Sequence, residues 1–91
     1  MKLVARLRRT LRARHYSPRT EQAYVGWVKR FIEFHGRQHP KDLAEPEIGA
    51  FLSSLAVDAG MSSGTQNQAL AALLFLYRDV LGVPIAMGRE V

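Results

Sequence analysis

His35 and His39 stand four residues apart, the spacing at which two imidazoles on one helix face can hold a metal ion. Gly36 and Pro40 interrupt a helix there, and no third ligand lies nearby in sequence, so a loop pair without metal is expected. Glu45 and Glu47 resemble the paired carboxylates of acid–base catalysis, but residues two apart on a helix do not face each other. Carboxylates in the first turn of a helix, drawn to its positive end, explain them better. Ser17, Ser53, Ser54, Ser62 and Ser63 have no evident acid–base partner. The chain lacks a glycine-rich phosphate loop. It has no cysteine, which removes thiolate nucleophiles, thiolate metal sites and a disulfide framework. No catalytic residue, no metal, no cofactor and no small-molecule ligand is expected.

Cationic side chains are the chemistry that remains. The 91 residues carry 13 Lys and Arg against 8 Asp and Glu, a net charge of +5. Residues 1–30 hold nine of those cations against Glu21 alone, a balance of +8; residues 31–91 come to −3. Such asymmetry suits a polyanionic partner. Arg19, Gln22, Lys29 and Arg30 are side chains that suit phosphates and base edges. Thr65, Gln66, Asn67 and Gln68 are four uncharged hydrogen-bonding residues just ahead of a hydrophobic stretch. A solvated charged surface is the plain alternative for the Arg-rich start. Two polar helix faces beside a +8 segment favour DNA.

Four helices and no strands are expected to position these residues. The first spans about Lys2 to Ala13, with Leu3, Val4, Leu7 and Leu11 in one stripe. Ser17-Pro18 reads as an N-cap and a first-turn proline, opening a second helix over about Pro18 to His35. Its apolar face is expected at Ala23, Tyr24, Trp27, Val28, Phe31 and Phe34, with Arg19, Gln22, Gly26, Lys29 and Glu33 opposite. Gly36 stands where a left-handed residue ends a helix. A connection over 36–44 should return Leu43 to the core. The third helix spans about Glu45 to Asp58, burying Ile48, Phe51, Leu52 and Leu55. Ser62 caps the fourth, about Ser63 to Leu81, which is apolar almost all round and therefore central. Gly82 and Pro84 stop it. The fold class is all-α: a compact bundle of four helices in one domain, residues 1–84, with 85–91 as a tail or truncated linker.

The stretch HYSPRTEQAYVGWVKRFIEFHG, with Thr65-Gln66-Asn67-Gln68-Ala69-Leu70 downstream in the same order, resembles the amino-terminal domain of integron integrases. Those are tyrosine recombinases of the phage-integrase family. The resemblance runs from about Leu7 to Pro84. It implies a SAM-like core-binding domain that forms half of a C-shaped clamp on duplex DNA, with its second and fourth helices crossing the major groove. Carried over by position, Arg19, Thr20, Gln22 and Lys29 are the contact candidates on the second helix. Thr65, Asn67 and Gln68 are those on the fourth. Tyr24, Trp27, Phe31, Leu70, Leu74 and Tyr77 match core positions. The family's nucleophilic tyrosine and its helpers belong to a carboxy-terminal domain, and none of Tyr16, Tyr24 and Tyr77 matches that nucleophile. The 91 residues are therefore expected to bind DNA at a recombination site without cleaving it. They are expected to be monomeric alone, the parent being tetrameric on DNA. Ala44 stands where the family has a Thr or Ser before the third helix.

Other function classes remain open at this point. One is a helical protein-interaction module whose basic face takes an acidic partner. Another is a small RNA-binding or membrane-surface protein using the Arg-rich first helix, although that helix lacks Trp or Phe on its apolar side. No apolar run approaches the roughly 18 residues of a membrane span. A cytoplasmic, bacterial location is expected.

Overall fold

Local cap chemistry fixes where the helices begin. The Ser17 hydroxyl accepts the Thr20 backbone N–H at 3.1 Å, and the Ser62 hydroxyl accepts that of Thr65 at 3.2 Å. Each satisfies an N–H that the first helical turn leaves without a partner. In the computed structural model, which describes residues 2–85, the elements run in the order α1 (Lys2–Ala13), α2 (Pro18–Phe34), a 3-10 turn (Pro40–Asp42), α3 (Glu45–Val57) and α4 (Ser63–Phe75). A π-helical turn, Leu76–Val80, continues α4 without a break. The described residues contain no strand. The all-α fold class and the four helices agree with the sequence reading to within a residue at most helix ends. At the start of α3, Ala44 has no side-chain acceptor. Glu47 compensates from the other direction, its carboxylate accepting the Ala44 N–H at 2.6 Å.

Helix ends follow backbone handedness. At the end of α2, Gly36 has φ +69°, and the Arg37 N–H returns to the Ile32 carbonyl at 2.8 Å. The end of α1 makes the same return, Tyr16 N–H to Leu11 O at 3.0 Å, but the left-handed residue is His15 with φ +63°. A side chain in that conformation carries a steric cost that glycine does not.

The core is built on α4, which packs against both α2 and α3. Ala69, Ala72, Leu73, Phe75, Leu76 and Tyr77 are all buried along it. Leu3, Val4, Leu7 and Leu11 of α1 are buried as expected, and α1 packs on α2 and the π turn. Removing most of a fully buried side chain such as Leu7 costs about 2–5 kcal/mol. Leu43 also reaches the core. The Tyr77 hydroxyl, wholly buried, donates to the Pro40 carbonyl at 2.6 Å, with the Leu43 carbonyl next at 3.3 Å. It thereby ties the 36–44 connection to α4, and burial pushes its pKa well above the ordinary phenol value.

Three details of the expected packing need correction. The buried seam of α2 is Glu21, Val25, Val28, Phe31 and Ile32. Ala23 is exposed, Phe34 is 46% exposed, and Tyr24 and Trp27 flank the core half-buried. Four of the seam residues fall at i, i+4, i+7 and i+11, a regular stripe that a charged residue disguises in sequence. In α3, Leu52 packs against the core without being fully buried. The packed region also continues to Ile85, which is 5% exposed and whose carbonyl accepts from the Arg78 guanidinium. The rest of the expected tail, residues 86–91, lies outside the described residues.

Candidate nucleic-acid interface

Where α2 begins, the helix carries cations outward on one strip. A helix advances about 100° per residue, so Arg19, Ala23, Gly26 and Arg30 share one exposed side. A Cβ added at Gly26 would meet nothing within 4 Å among the described residues, so that side is open to them. Arg19, Thr20, Ala23, Tyr24 and Trp27 line a groove of about 340 Å³, and its remaining wall is Gln68 of α4. The groove unites candidates from the two helices: Arg19 and Thr20 from α2, Gln68 from α4. Its floor is aromatic. Tyr24 stacks edgewise on Phe75 at 5.9 Å and meets Tyr16 at 5.8 Å, and burial together with Tyr16 raises the Tyr24 pKa. The Arg30 guanidinium lies 5.0 Å from the Trp27 ring centroid, a cation–π contact that holds it near the groove.

The other candidates take different places. Thr20 and Thr65 each accept a hydrogen bond from their cap serine, Ser17 at 3.0 Å and Ser62 at 3.2 Å, so both hydroxyls belong to cap networks. Asn67 is exposed on α4. Gln22 falls on the opposite flank of α2, in a groove with Arg8 and Arg12 of α1. Lys29 and Arg30 border a further groove between α2 and α3, lined by Phe34, Phe51 and Leu55 and closed by Asp58. Arg19 and Lys29 have no carboxylate partner among the described residues. The structure thus gathers Arg19, Thr20 and Gln68, keeps Arg30 beside them on Trp27, and sets Gln22 and Lys29 on either side.

Much of the remaining positive charge has an internal partner. Glu21 is 5% exposed, and its carboxylate accepts from Arg8 at 2.9 Å and from Arg12 twice, at 2.9 and 3.0 Å. These bonds from Arg12 and Arg8 hold the Glu21 pKa below the ordinary value of 4.5, against the opposing effect of burial, and raise that of Arg12. Arg6 donates to the Val80 carbonyl at 2.7 Å, at the end of the π turn. Arg14 pairs with Asp79 at 3.0 Å. Sequence reasoning counted these arginines as one basic face and missed Glu21 as their hub. The signal available was Glu21 itself, the one acid among nine cations.

The two histidines are engaged locally. The Nε2–H of His35 donates to the Glu47 carbonyl at 2.8 Å, and its ring packs edgewise on Phe31 and Phe34. His39 Nδ1 accepts the Lys41 N–H at 3.0 Å and caps the 3-10 turn. No cluster of three potential metal ligands occurs among the described residues. No described helix is long and apolar enough to cross a membrane.

Residues 3–87 match the family described as phage integrase, N-terminal SAM-like domain. The chain belongs to that family. Proteins named integrase/recombinase from Escherichia coli and from Pseudomonas aeruginosa are each 50% identical to it over all 91 residues. The chain spans 27% of the length of those curated relatives. The SAM-like integrase domain therefore accounts for nearly the whole sequence, and both grooves that border the start of α2 lie within it.

Proposed function

We propose that the chain is the DNA-binding amino-terminal domain of an integron-integrase-like, site-specific tyrosine recombinase, non-catalytic by itself. The observation that carries this reading is the groove between α2 and α4, where Arg19, Thr20 and Gln68 meet and Arg19 has no carboxylate partner among the described residues. Phosphate contacts position such a domain and amide or guanidinium contacts to base edges specify sequence. Arg19, Lys29 and Arg30 take the first role, with Thr20 and Thr65 at the two helix starts; Gln22, Asn67 and Gln68 take the second. The domain reaches at least to Ile85, and the reaction, its tyrosine nucleophile and a tetrameric assembly on DNA reside in the larger recombinase. A cytoplasmic site of action follows from a DNA substrate.

A half clamp binds mainly through phosphates. With about five neutralised, log K falls against log salt with a slope near −4.5. The test is fluorescence anisotropy with a labelled duplex of about 30 base pairs at low and moderate salt, the Arg19→Ala/Lys29→Ala variant alongside. Salt-sensitive binding that the variant loses supports the reading. Absence of binding at low salt overturns it and favours the second reading, a protein-interaction module. That reading rests on the apolar groove between α2 and α3, where Phe34 is 46% exposed and Lys29 and Arg30 stand on the rim.

A further inference from the structure

The first turn of α2 is a ridge with a groove on each flank. One is the Arg19–Gln68 groove toward α4. The other, about 550 Å³, lies toward α1 and is lined by Arg8, Arg12, Tyr16, Pro18, Glu21 and Gln22. No described residue lines both. We infer that the α1 groove receives a backbone phosphate of the DNA strand that borders α2 on the side away from α4, with Arg8 and Arg12 as its ligands and Glu21 as their positioning residue. The inference deepens the DNA-binding reading above and rests on it.

Three features carry it. One buried carboxylate faces two guanidiniums, so the cluster keeps an excess positive charge. Arg8 gives Glu21 a single N–H and Arg12 gives two, which leaves most of their N–H groups unused among the described residues. Those groups are reachable, since the side chains are 37% and 67% exposed. Guanidiniums already held in place lose less freedom when an anion docks, and their fork geometry fits a phosphate. The third feature is geometric. A helix seated in a major groove about 12 Å wide has a phosphate backbone on each side. On the α1 side of α2, Arg8 and Arg12 are the cations in position to meet it, with the exposed Gln22 amide beside them.

The experiment follows the Arg12 Nε–H and the Gln22 side-chain amide by NMR while the same duplex is added to the 91-residue chain, and repeats the salt-dependent anisotropy with Arg8→Gln. That variant keeps both Arg12 bonds to Glu21, so the fold retains its anchor. The expected result is a shift of both signals with duplex and a salt slope shallower by about 1, with affinity falling by a similar factor on any sequence. Arg37→Gln, which removes a pair with Glu33 beyond the far end of α2, should leave the slope unchanged. Wild-type binding with unmoved Arg12 and Gln22 signals and an unaltered Arg8→Gln slope overturns the α1 site while the α2–α4 reading stands. Equal shifts with inorganic phosphate alone reassign the groove to a free anion and also overturn it. No duplex binding at all removes both.

Discussion

The cations of α1 and those of α2 differ in what holds them. Arg6, Arg8 and Arg12 of α1, and Arg14 just beyond it, each meet a carbonyl or carboxylate of the protein. In α2, Arg19 and Lys29 meet none among the described residues, and Arg30 rests on an aromatic ring. A uniform run of positive charge in the sequence therefore divides into a set that fastens the first helix and a set left facing outward. Surface pairs are individually weak, but a buried carboxylate is costly to leave without any cation, and Glu21 has two, with Arg12 making two of the three bonds. The comparison teaches that charge density locates a basic region, whereas partner geometry decides how each cation is held: facing outward without a carboxylate, as Arg19 and Lys29 are among the described residues, or fixed on Glu21 with N–H groups to spare, as Arg8 and Arg12 are.

Four substitutions break or sharpen that contrast. The largest effect is expected from Glu21→Gln, which leaves Arg8 and Arg12 without their counter-ion and should lower the melting temperature by several degrees at neutral pH. Glu21 titrates below its ordinary 4.5 when folded, so its stabilisation is present above that value and is lost as pH falls through the depressed folded pKa. Melting curves between neutral pH and pH 3 should show this acid loss in the wild type and a reduced one in the variant. Arg6→Met comes next. It removes the bond to the Val80 carbonyl and should cost about 1 kcal/mol in urea unfolding. If that variant also abolished duplex binding, the division between fastening and outward-facing cations would fail. His15→Gly relieves the positive φ at the end of α1 and gives it the residue that α2 already uses at Gly36. The gain should be under about 1 kcal/mol, because glycine also loosens the unfolded chain. The smallest effect is expected from Arg9→Gln. Arg9 is exposed and has no ion-pair partner among the described residues, so stability should stay within about 0.5 kcal/mol.

Helix starts and stops were legible because their chemistry is local. Ser17-Pro18, Gly36, Glu45-Pro46, Ser62 and Gly82 act on backbone groups within a turn of themselves, and a sequence displays such neighbours directly. The face of α2 was less so. Aromatic Tyr24, Trp27 and Phe34 weigh heavily in any apolar count, yet the seam passes through Glu21. Its burial depends on Arg8 and Arg12 in another helix, and nothing in the periodicity of α2 records that. The π turn is equally hidden, since Leu76–Val80 is apolar enough to extend α4 in ordinary α register. For the candidate interface, the residue types on α2 and α4 could be read from the sequence. That Arg19 and Thr20 share a groove with Gln68, while Gln22 and Lys29 fall into its neighbours, depends on how the helices cross.

The bond from Arg6 to Val80 joins residues 74 positions apart, and Arg14 to Asp79 spans 65. Contacts so distant along the chain form only after a long loop has closed, whereas α3 and α4 meet through a short connection. In kinetic terms the seam between α1 and the π turn is expected to close late, after α1 has met α2 across the short 14–17 connection. Arg6→Met should therefore speed unfolding while leaving the folding rate almost unchanged, a split that stopped-flow chevrons resolve. The Leu76–Val80 turn then acts as a late-closing latch, set only when the opposite end of the chain arrives.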